Sequence, residues 1–302
     1  MKLQMAGIGF LLVYGVWNTQ NAMAAPTEPQ SDALAVGTEG VMYEHSLEKS
    51  RFDVGAGVHE EVQGPYERVV GDKGVFLVDT VTGAALAIPN APLIPKGTTL
   101  VSEDYPQPLT KNPGEHSAMV RTYLVAASVP AAEVSGTHVT TTMAGGGPVS
   151  DGVQPSQSKL LFYTTHLERS LGGIPVEGSY AFAALDSAGH VITEGVYWPA
   201  ISASVVYKAQ ALKQRLASAN EKAAFLADVQ AKRPDVGNAV GTVKIVHTSA
   251  GYHGEFEANA VYSVVMRSAA GGKGEIVRFD DTGAPVVMAD ELPSGKESRG
   301  RK

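Results

Sequence analysis

The histidines and carboxylates of this chain fall into a few short strings, and their spacing sets what chemistry each string can do. His253, Glu255 and Glu257 alternate along GYHGEFE, with His247 a few residues upstream. Alternate side chains of an extended segment share a face. The string therefore offers an imidazole and two carboxylates to a zinc- or calcium-like ion, the only metal candidate of note and the one a metal-dependent hydrolase would need. It also reads as a polar hairpin edge, where charges discourage strand pairing. His166 and Glu168 repeat the i, i+2 relation. The helix-borne zinc-peptidase motif His-Glu-x-x-His is missing from the sequence. In its nearest approach, Val58-His59-Glu60-Glu61-Val62-Gln63-Gly64, Gln63 stands where the second histidine belongs.

Nucleophilic chemistry has no better footing. Glu44-His45-Ser46 and Glu115-His116-Ser117 put triad-type residues side by side, but sequence neighbours do not face one another, and no G-x-S-x-G elbow exposes a serine. In LGGIPVEGS, Gly173 and Gly178 have the spacing of phosphate-loop glycines, yet Ser179 and Tyr180 stand where Lys and Ser/Thr are required. No catalytic constellation and no cofactor motif emerges, which points to a non-enzyme. Tyr180, Phe182, Tyr197 and Trp198 are the candidate partner-binding residues: they form either an aromatic ledge or pocket for a peptide or carbohydrate, or a buried sheet end.

Composition narrows the setting. The 302 residues carry a net charge of −7 and no cysteine. Acidity disfavours nucleic acid and anionic membranes as partners, and the missing thiols exclude disulfides and thiolate chemistry. Lys2, an apolar run from Met5 to Trp17 and the small-residue exit Ala22-Met23-Ala24 read as a signal peptide over 1–24. The product is expected to be secreted or periplasmic, with no membrane span after cleavage.

The elements that must position these residues follow. Residues 25–35 read as a flexible N-terminus, 36–110 as a β-rich segment with a Pro-rich linker, and 293–302 as a disordered tail. VFLVDTVTGAALAI predicts a hairpin. Asn112-Pro113-Gly114-Glu115 predicts a capped helix of about 14 residues, with Glu115 closing a capping box and Met119, Val120, Tyr123, Leu124 and Ala127 on its apolar face. Strands are expected at 138–143, 159–167, 176–185, 191–198, 239–247, 256–266 and 275–279, with helical spacing from Val205 to Leu216 and again from Phe225 to Val229. Along 176–185 the alternation places Tyr180 and Phe182 on the face that should meet the core or a covering helix. The turns Asp186-Ser187-Ala188-Gly189 and Asp280-Asp281-Thr282-Gly283 suggest a weak repeat.

The stretch from Leu171 through Gly-Ile-Pro-Val-Glu-Gly-Ser-Tyr180 to Leu185-Asp186-Ser-Ala-Gly189-His-Val-Ile192 resembles the fungalysin/thermolysin propeptide motif, and 220–288 resembles a diverged PepSY module. The resemblance implies an α+β fold: a β-rich N-terminal segment, then a propeptide-like unit over 111–200 and a PepSY-like unit over 201–292, each a helix packed on antiparallel sheet. It further implies a non-catalytic module that inhibits or helps fold a secreted metallopeptidase. Other expectations are an envelope structural or small-ligand-binding protein and, last, a metal-dependent hydrolase. Oligomeric state is not legible.

Overall fold

The computed structural model describes residues 45–80, 83–90, 107–144, 159–236, 240–249, 256–266 and 275–286. The expected signal peptide, flexible N-terminus and tail, and most of the Pro-rich linker, lie outside these residues.

The described residues are dominated by one mixed sheet of 13 strands, not by small sheets each covered by a helix, and this overturns the expected α+β arrangement. Among the described residues, strand accounts for 46% and helix for 26%, with three α-helices. Strands β1 (His59–Gln63), β2 (Tyr66–Val70), β3 (Gly74–Asp79) and β4 (Ala85–Pro89) form an antiparallel meander. After α1 (Pro113–Ala126) come β5 (Val134–Ala144), β6 (Lys159–Leu171), β7 (Ile174–Glu177), β8 (Tyr180–Leu185) and β9 (Val191–Tyr197). Helices α2 (Ala203–Ala217) and α3 (Ala219–Lys232) precede β10 (Gly241–Ser249), β11 (Phe256–Met266), β12 (Glu275–Phe279) and β13 (Pro285–Val286).

Two junctions fuse what the sequence presents as separate units. β4 pairs antiparallel with β9, so the N-terminal meander extends the central sheet. β7 leaves β6 through Gly172 and Gly173, both at positive φ (54° and 70°), as a two-residue hairpin turn of this kind needs. It then pairs in parallel with β10, Val176 opposite Ile245. The expected strand 176–185 is thus broken at Gly178 (φ 98°), and its two halves serve different neighbours.

Among the described residues the hydrophobic core has two large clusters and a small third one, Val246 and Val261 with Val286 against them. In the first, α1 packs its buried stripe of His116, Val120, Tyr123 and Leu124 against Ala181, Ala183, Leu185 and Leu167, while Met119 points out to solvent. Asn112 caps the helix by accepting from Gly114 N at 2.9 Å. The capping box does not form: Glu115 instead accepts from the Thr110 hydroxyl at 2.7 Å. In the second part, α2 and α3 cover β10–β12 through Leu212, Phe225 and Val229 against Ile245, Tyr262 and Phe279.

The alanines of β8 decide which way its aromatics point. Ala181 and Ala183 let α1 approach closely, so Tyr180 and Phe182 take the opposite, open face of the sheet. The expectation that this aromatic face meets the core is reversed. The turns at Asp186 and Asp280 match bond for bond: each aspartate Oδ1 accepts from backbone N–H groups two and four residues on, and each closes on a positive-φ glycine.

Candidate functional site

Register brings the open-face side chains into one row. His138 on β5 lies opposite His166 on β6, His166 opposite Phe182 on β8, and Phe182 opposite Gly195 on β9. The His138 and His166 rings stack with centroids 4.6 Å apart and planes 1° from parallel. His166 meets Phe182 at 5.3 Å, Tyr180 meets Phe182 at 6.0 Å, and Tyr180 meets Tyr197 at 5.7 Å. Gly195 makes room for the row, since a Cβ there would come 2.5 Å from Phe182 Cε1. Tyr180 is 41% exposed, while Phe182, Tyr197 and His166 are half-buried. Burial, and to a lesser extent the neighbouring His138, pulls His166 down to about 4, so the ring is neutral at pH 7.

Trp198, grouped with these aromatics in the sequence, goes the other way. It is 2% exposed, donates its indole N–H to Glu133 Oε2 at 2.8 Å, and stacks under Arg169 at 5.0 Å. Arg169, itself buried, pairs with Glu133 at 2.7 Å and bonds Pro199 O and the Ser179 hydroxyl. That is a clamp tying β6 to the end of β9, and it removes Trp198 from any exposed ledge.

The strand that starts the row is also an edge. β5 pairs with β6 along its length, and among the described residues no strand pairs with its other side. Its eleven residues, VSGTHVTTTMA, contain no Lys, Arg, Asp, Glu or Pro, the residues with which exposed edges usually resist further pairing. β1, at the far edge of the sheet, is protected in that way: HEEVQ is fully exposed, with His59 and Arg68 both bonded to Glu61. The near-miss zinc motif is therefore a charged edge strand, not a helix.

A buried polar cluster sits behind the sheet. Glu194, fully buried, accepts from the hydroxyls of Ser50 and Tyr123 and lies 3.3 Å from His45 Nε2, while His45 Nδ1 faces Ala127 O at 3.2 Å. Burial and the Glu194 charge push the Tyr123 phenol well above its ordinary value. The cluster fastens residues 45–52 onto α1 and β9. Beside it opens a cleft of about 510 Å3, lined by His45, Leu47, Glu67, Phe76, Val78 and Asp79. Both ring nitrogens of His45 are engaged, so the geometry makes it a clasp and not a base aimed at the cleft. His116 is likewise consumed: Leu185 N donates to Nε2 at 3.3 Å, leaving Nδ1–H to donate to Thr165 Oγ1 at 2.8 Å.

The sequence-derived metal candidates are not brought together among the described side chains. His253 and Glu255 lie outside the described residues. His247 and Glu257 stand on the paired strands β10 and β11, with side chains that also fall outside the description. No group of three His, Asp or Glu side chains among the described residues already stands at metal-ligand spacing. Tyr180, Phe182 and Tyr197 do converge. His138, which sequence reasoning passed over, joins them only through strand pairing. Comparisons with known proteins returned no matching family model, curated protein or solved structure.

Proposed function

We propose that the chain is an exported, non-catalytic binding protein that takes an extended segment of a partner protein along the outer edge of β5. The reading is carried by that edge: eleven uncharged, proline-free residues offering backbone N–H and C=O groups to a further strand. Strand addition draws its affinity from main-chain hydrogen bonds and its selectivity from alternate side-chain positions. On β5 the alternate positions of the open face are His138, Thr140 and Thr142, beside the row led by Tyr180 and Phe182. A secreted metallopeptidase is the partner that the propeptide-like stretch around LGGIPVEGS suggests.

The test is to incubate the protein with the secreted metallopeptidases of its own source and follow inhibition and complex formation by size-exclusion chromatography. Thr140→Lys places a charge on the open face of the edge strand and should weaken the complex about tenfold or more while leaving the melting temperature nearly unchanged. Absence of both inhibition and complex formation would count against the reading.

The 41% exposure of Tyr180 favours a second reading, an aromatic platform for a sugar ring. There Tyr180→Ala would abolish oligosaccharide binding and Thr140→Lys would leave it unchanged.

A further inference from the structure

β5 has no charged residue of its own, yet a carboxylate from the neighbouring strand stands over it. Glu168 on β6 lies opposite Gly136, on the open face that it shares with His166 two residues earlier. A Cβ at position 136 would sit 2.6 Å from Glu168 Oε2, so the side chain leans across β5 through the space that the glycine leaves. The register shifts between Val134 and Gly136, and the residue left over, Ser135, donates its hydroxyl to Glu168 O at 3.2 Å. Such bulges are a common device for re-aiming a side chain. The Glu168 side chain is 58% exposed, and among the described residues no Lys or Arg pairs with it; its nearest basic atom is His138 Nδ1, at 3.8 Å.

A strand added to β5 lies about 4.8 Å from it. At His138, Thr140 and Thr142 the β5 side chain stands between an added residue and β6, whereas at Gly136 nothing does. We infer, on the strength of strand addition at β5, that the partner segment carries a Lys or Arg on its open-face side, seated opposite Gly136 and paired with Glu168. An Asp or Glu at that position is repelled by the same carboxylate and by the net charge of −7. An ion pair this exposed adds little affinity, so Glu168 selects among segments and does not supply the binding itself. It also fixes register, because a slip of one residue turns the basic side chain to the helix-covered face.

Fluorescein-labelled peptides of alternating Thr and Val with one central Lys, Gln or Glu, titrated into the full chain by fluorescence polarisation, test it. The Lys peptide should bind about threefold tighter than the Gln peptide and about tenfold tighter than the Glu peptide. Glu168→Lys, at an exposed position, should reverse that order. Gly136→Ala displaces only the flexible end of Glu168 and keeps every charge, and it should bring the three affinities within about twofold of one another. Equal affinities in the wild type, an order that survives Glu168→Lys, or a full Lys preference in Gly136→Ala would each overturn the selector and leave strand addition standing. Binding of none of the three peptides would remove strand addition itself, and the selector with it.

Discussion

At the scale of single residues, environment separates side chains that look equivalent in sequence. Tyr197 and Trp198 are neighbours, yet one faces the open side of the sheet and the other closes a clamp with Glu133 and Arg169. Trp198→Ala should cost about 3–5 kcal/mol in urea unfolding, from the vacated volume. Tyr180→Ala should cost well under half of that because the ring is already 41% exposed. Equal losses would mean that the two aromatics share one environment. His116 shows the same principle through pH. Its ordinary value is 6.5 and burial lowers it to about 4, so the unfolded chain takes up a proton that the folded chain refuses. Its contribution is therefore complete above about 6.5 and is lost as the pH falls towards 4, by about 3 kcal/mol in all. His166 is depressed in the same window. Stability measured from pH 7 to 4 should fall less steeply in His116→Gln than in the wild type, and identical slopes would remove His116 from the account.

At the scale of elements, local chemistry was legible and facing was not. The Asn112 cap and Pro113 fixed the start of α1, and the Asp-Gly turns at 186–189 and 280–283 closed as their residues require. The orientation of β8 was read backwards because alternation says only that two faces differ. It was the alanines at 181 and 183, small enough to admit α1, that chose the inner face. β1 and β2 were not placed individually within the expected β-rich segment because HEEVQGPYERVV lacks a clear hydrophobic alternation; β1 is a fully exposed edge and β2, paired on both sides, is mostly half-buried. The open-face row depends in turn on Gly195. Gly195→Ala should cost about 1–3 kcal/mol by driving a methyl into the Phe182 ring. A thermal melt unchanged by the substitution would show that Phe182 is free to move aside.

At the scale of the molecule, the sheet is held together by pairings remote in sequence: β4 with β9 and β7 with β10. No periodicity or turn signal encodes which distant strands meet, which is why a chain of helix-then-strand segments read as separate α+β units folds, among the described residues, as one continuous sheet with two large core clusters and a small third one. The same pairings assemble the candidate site. His138, His166, Phe182 and Tyr197 come from four strands, and Tyr180 shares β8 with Phe182, whereas Trp198, adjacent in sequence, is excluded. That assembly leaves β5 as an edge free of Lys, Arg, Asp, Glu and Pro, which we propose as the template for a partner strand. Amide hydrogen exchange of the chain alone and mixed with the metallopeptidase proposed as its partner is the measurement to make. Binding is expected to slow exchange along β5, residues 134–144, more than anywhere else in the sheet. Protection confined to the strands bearing Tyr180 and Tyr197, with β5 exchanging as before, would contradict it.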